Sequence, residues 1–159
     1  MQKDNLFEAW LSQLVSRGLI SKEASGRLPI HLSSENLKEV LESASQNRDE
    51  AAAEVFEDLY LFNQSETLGV LFRWLDRRQP GRGLSIQVDL PYPKERKQVQ
   101  LPSVAQYWSS ARCAELEAEM LFGVHFDTNW MGGLDLGLRE TDPSHPFPMR
   151  KTVAGGNHA

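Results

Sequence analysis

Three glutamates, Glu115, Glu117 and Glu119, stand in the run ELEAEMLFGVHF. Paired carboxylates do acid–base work when they converge and their surroundings push their pKa values apart. On a helix Glu115 and Glu119 share a face, being four residues apart, while Glu117 points elsewhere. Such acids read as solvated or partner-facing groups, not as a catalytic pair. His125, Asp127 and His145 are the metal-ligand candidates. A divalent site takes three or four convergent N, O or S ligands. An H-x-D pair with a distant His matches no recognised ligand spacing, but these three residues define the rival function, an independent metal-assisted hydrolase. Cys113 is the only cysteine. A nucleophilic thiol needs a nearby base and a lowered pKa. Its place mid-helix among Ala111 and Ala114 reads instead as a buried or half-buried thiol.

Neither GRG (81–83) nor GG (132–133) lies in a strand–glycine loop–helix context, and no P-loop or dinucleotide fingerprint exists. RWLDRRQPGR carries four arginines, Arg73, Arg77, Arg78 and Arg82, around a tryptophan. RNA is one reading; arginines that solvate a hairpin tip or dock an acidic partner are the other. The net charge of −5 argues against nucleic acid, whose binders show a basic face. A single cysteine permits no internal disulfide and no multi-thiolate cluster. No apolar run approaches the ~20 residues of a membrane helix, and MQKDNLFEAW has no signal-peptide core. The expected address is cytoplasmic. No convergent active site emerges, which moves weight from enzyme toward interaction subunit.

These residues must be held by elements that the hydrophobic pattern lays out. At 159 residues the chain fits one domain, and such a domain buries about 70% of the surface its unfolded chain exposes. Phe7, Trp10, Leu11 and Leu14 share a helical face that starts near Asp4 and stops at Gly18. RLPIHL alternates as a short strand, and Pro29 places it at a sheet edge. Leu37, Val40, Leu41 and Ala44 stripe a second helix begun by Ser33 or Ser34. RDEAAAEVF suggests a further helical piece. Strands follow at 57–62, 67–75 and 84–90, the last two as a hairpin turned by DRRQPGRG. PYPKERKQVQLP reads as a connector. The spacing of Val104, Tyr107, Trp108, Ala111, Ala118 and Leu121 predicts a third helix over 103–122, capped by Ser103 and ended by Gly123. The Gly- and Pro-rich 127–159 has no regular period. The expected fold class is α+β: a small antiparallel or mixed four-stranded sheet covered by helices, with a domain at 1–126 and an extended C-terminal arm at 127–159.

The stretch LPSVAQYWSSARCAELEAEMLFG resembles the most distinctive segment of the 30 kDa subunit family of NADH–quinone oxidoreductase (complex I). Pro102, Ser103, Val104, Trp108, Ala111, Glu115, Glu117, Phe122 and Gly123 match its pattern at the same spacing. Pro148, Met149, Arg150 and Lys151 resemble its closing P-L-R-K. Leu116, Met120, Cys113 and Thr152 depart from it, and NWMGGLDLG stands where G-H-P-D-L-R-R is usual, so the chain resembles a divergent or short member. Related subunits occur in membrane-bound [NiFe]-hydrogenases. The resemblance implies an α+β subunit without cofactor. The role it implies is structural and non-catalytic, in the peripheral arm on the cytoplasmic face of the inner membrane. Its partners would be the large quinone-site or nickel-binding subunit and adjacent iron–sulfur subunits. A partner interface is then expected at Trp108, Glu115, Glu117, Phe122, Gly123, Phe126, Pro148, Arg150 and Lys151. The glutamates would accept charge-assisted hydrogen bonds from arginines, either Arg139 and Arg150 or a partner's.

Overall fold

The computed structural model describes residues 4–22, 28–64, 66–79, 81–91, 99–127 and 149. Helix α1 (Asp4–Ser16) leads into strand β1 (Ile30–Leu32) and helix α2 (Ser34–Gln46). Strands β2 (Val55–Asn63), β3 (Thr67–Leu75) and β4 (Ser85–Pro91) follow, then β5 (Val99–Pro102). A 3-10 turn (Ser109–Ala111), helix α3 (Arg112–Phe122) and strand β6 (Val124–Asp127) complete the described order. The main sheet runs β1-β4-β3-β2. β2–β3 and β3–β4 are antiparallel and β1 joins β4 in parallel, so the sheet is four-stranded and mixed. β1, with Pro29 just before it, lies at the edge, as its proline demands.

Period-two alternation decides which face is buried. Leu68, Val70, Phe72 and Trp74 of β3 and Ile86, Val88 and Leu90 of β4 are buried, while Arg73 and Asp89 face outward. The inner face meets α1 and α2 through Trp10, Leu14, Leu37 and Leu41, all fully buried. Each such side chain contributes roughly 1.5–3 kcal/mol on leaving water. Trp10 Nε1 donates to Ser43 Oγ at 3.1 Å, which fixes α1 against α2.

Three expectations are corrected. RDEAAAEVF is not helical: residues 47–52 form turns and β2 begins at Val55, with Ala52 at φ 53. The connector contains β5, which pairs in parallel with β6 as a second small sheet. The third helix begins at Arg112, not Ser103. The Val104 carbonyl accepts from the amides of Tyr107 and Trp108, giving one turn, and then Trp108 is extended at φ −127, ψ 95. That break lets Trp108 enter the core, where its Nε1 donates to the Ala53 carbonyl at 2.9 Å. A tertiary contact has overridden a helical period that Val104, Trp108 and Ala111 satisfy in sequence.

Candidate functional site

The glutamate run sits on α3, which packs beside β6 and β2, and its three acids have three different fates. Glu115, in the first turn, is 1% exposed. Its carboxylate accepts from Val104 N at 2.5 Å, Ala105 N at 3.0 Å and Ser103 Oγ at 2.8 Å. These are the donors left free at the start of the turn after β5, so the acid closes that turn from a later helix. Burial pushes the carboxyl above the usual glutamate range, against the opposing pull of Ala105, Ser103 and Val104. Glu117 is exposed. Glu119 lies 2.8 Å from His125 Nδ1 across the α3–β6 corner. Gly123 makes that corner: φ 65 is a left-handed cap that favours glycine, and its amide donates to Glu119 O at 2.9 Å.

The residues of the expected interface have different places in the fold. Trp108, Glu115, Gly123 and Phe126 are buried within this chain. The acceptor capacity of Glu115 is met by its own chain, not by an arginine. Arg48 lies 5.2 Å from the Trp108 ring centre and donates to the Tyr107 carbonyl at 2.8 Å. Phe122 is half-buried and Glu117 exposed, so these two retain surface. Pro148, Arg150, Lys151 and Arg139 lie outside the described residues. Met149 is described: its amide donates to the Leu121 carbonyl at 3.1 Å and its carbonyl accepts from Asn63 Nδ2 at 2.9 Å. Cys113 is exposed, not buried, because a helix that begins at Arg112 turns that position outward.

The rival groups also have definite places. His125 and Asp127, two apart on β6, both line an open cleft of about 380 Å³. Among the described residues no set of three His, Cys, Asp or Glu could hold a metal. His145 lies outside them. The arginine-rich hairpin is engaged with its own chain. Arg73 pairs with Glu57 at 3.2 Å, and Arg78 with Asp49 at 2.7 Å and Glu54 at 3.1 Å. Arg82 donates to Gln79 and stands 5.6 Å from the Phe7 ring centre. A phosphate backbone would have to compete with these acids.

The family model for the respiratory-chain NADH dehydrogenase 30 Kd subunit matches residues 30–158. The chain belongs to that family. The matched span takes in both 102–123 and 148–151, the stretches on which the sequence resemblance rests. No curated protein matches the chain. Among solved structures, this 30 Kd-family chain is similar to Nqo5 in its trypsin-resistant fragment, with TM-score 0.47 and 22% identity over 67% of this chain and 80% of that one. It is also similar to a chain of the membrane-bound sulfane sulfur reductase, an archaeal respiratory membrane complex. There the TM-score is 0.46 and the identity 12%, over 64% of this chain and 60% of that one. No helix among the described residues is long and apolar enough to cross a membrane.

Proposed function

We propose that the chain is a non-catalytic structural subunit of the peripheral arm of a complex I-like oxidoreductase. It packs against the large catalytic subunit and reaches the membrane only through the complex. The family match over residues 30–158 carries this reading. The chemistry of the motif supports it. Glu115, the first carboxylate of the run, spends its lone pairs on Val104, Ala105 and Ser103, which shapes a loop and leaves that acid engaged rather than free for proton transfer. Trp108 and Gly123 likewise build the surface from beneath. The part of the motif left to touch a companion is Glu117 and Phe122, with the 148–151 run beyond.

The test is affinity purification of the tagged chain from detergent-solubilised membranes. The expected result is recovery of a large subunit and iron–sulfur subunits in fixed ratio. Recovery of the chain alone, together with turnover or stoichiometric tightly held metal in that lone polypeptide, would replace this reading by the hydrolase.

A further inference from the structure

A helix leaves its last four carbonyls without an intrahelical partner. In α3 one of these, Leu121 O, accepts from the amide of Met149 at 3.1 Å. The carbonyl of that same residue accepts from Asn63 Nδ2 at 2.9 Å. Asn63 closes β2, an edge strand of the main sheet, and α3 packs beside β2. Both backbone polar groups of Met149 are therefore bonded to the folded body, one by each element. The Met149 side chain stays 53% exposed, so its backbone groups, not a buried side chain, make the contact.

The partners are distant in sequence: Met149 is 86 residues from Asn63. β6 leads away from the α3 corner from Val124 to Asp127, about 13 Å of strand. From Asp127 to Met149 the chain could reach about 70 Å if extended. It comes back instead to the carbonyl two residues before the Gly123 turn. One hydrogen bond would leave residue 149 free to swing. A donor on one side and an acceptor on the other fix the direction of its peptide planes as well as its place. Asn63 suits this task, because its side-chain amide donates, whereas an aspartate of the same shape would only accept.

We infer that Asn63 is a positioning residue for the C-terminal motif. With the Leu121 carbonyl it forms a seat that holds the backbone of Met149, so that the P-M-R-K run at 148–151 is tied to the α3–β2 corner. The seat is made by this chain alone and works before any companion binds. It joins the two stretches on which the family likeness rests, 102–123 and 148–151, through Leu121 and Met149. Glu117 lies one turn before Leu121 on the same side of α3. Within the proposed structural role, a companion would thus meet α3 and the 148–151 run as one prearranged surface, with less ordering left to be done on binding. The inference goes beyond that role and does not depend on it.

Two measurements on the full chain test this. In the first, amide hydrogen exchange is followed residue by residue by nuclear magnetic resonance. The Met149 amide is expected to exchange at least about tenfold more slowly than in a free peptide of the same local sequence. Asn63→Asp is expected to speed exchange at Met149 at least about threefold, while the Val70 and Phe72 amides of β3 keep their rates. Met149→Ala, which keeps the backbone groups, is expected to behave as wild type. Peptide-like exchange at Met149 in the wild type would overturn the seat. An Asn63→Asp variant with the wild-type rate would overturn the role of Asn63. In the second, nitroxide labels are placed on Cys113, the chain's one cysteine, and on Met149→Cys, whose exposed side chain leaves the seat intact. α3 rises about 12 Å between Cys113 and Leu121, so one narrow distance distribution centred below about 30 Å is expected. Asn63→Asp is expected to broaden it. A broad distribution reaching past about 40 Å with Asn63 in place, open only to an extended chain, would show that the motif trails free and would overturn the inference. Neither measurement needs a companion, so the seat and the structural-subunit reading can fail separately.

Discussion

The Glu115 carboxylate is held away from water by a single short loop, with three donors from 103–105 around it. Removing it strands two buried amides and a hydroxyl. Glu115→Ala is therefore expected to cost about 2–4 kcal/mol in the isolated chain, read as a fall in denaturant midpoint. Glu117→Ala, at an exposed position, is expected to leave that midpoint alone. The pH dependence has a definite sign. Burial makes the folded chain hold the Glu115 proton more tightly than the unfolded one. Its contribution is full below the ordinary glutamate range and is lost as pH rises through the raised value. Glu115→Gln does not titrate, so its stability relative to wild type should improve as pH climbs from about 4 to 7, across and above that ordinary value. A wild type that gains on the Gln variant over that range would mean that the three donors outweigh burial.

At the scale of elements, the β3–β4 hairpin is closed by backbone hydrogen bonds beyond its strands. Trp74 N donates to Leu84 O at 2.9 Å and Asp76 N to Arg82 O at 3.0 Å, closing the strands just beside Gly83. A Cβ at Gly83 would clash with the Trp74 carbonyl oxygen, a backbone atom inside a hydrogen-bonded ladder. Gly83→Ala is thus expected to destabilise by about 2 kcal/mol, because neither strand can yield without breaking its pairing. An unchanged thermal midpoint would show that the hairpin relaxes freely. The α3–β6 corner works by a different device. Gly123 reverses the chain so that Glu119 and His125 meet, and this places His125 and Asp127 along one wall of the cleft.

Taken as a whole, the described residues form two sheets and one core. Leu101 and Ala105 from the β5 region and Val124 and Phe126 from β6 belong to the same buried cluster as Phe72 and Trp74 of the main sheet and Trp10 of α1. The Trp74 and Trp108 rings, with centres 5.3 Å apart, tie the β3 strand to the loop before α3. The described body should therefore unfold in one transition, with tryptophan fluorescence and far-ultraviolet circular dichroism superimposing along a denaturant titration. Separate midpoints would mean that the β5–β6 sheet and α3 melt independently.

Where a residue's partner lies within a turn or two of chain, local sequence sets the outcome. The stripe of α2, the alternation of β3 and β4, the edge position of the Pro29 strand and the stops at Gly18 and Gly123 follow from local sterics and from which positions repeat on one side. The family likewise shows in the sequence, because its motif is a linear spacing. Pairings made at long range are settled by folding alone. Glu115 reads as an interface acid until the chain folds Val104 and Ala105 onto it, and residues 103–122 read as one helix until Ala53 and Arg48 claim Trp108. The Met149 seat belongs to the same class: Asn63, Leu121 and Met149 lie far apart in sequence and meet only after α3 packs beside β2. Periodicity records which face of an element is buried, and contains no information about which distant group will be waiting there.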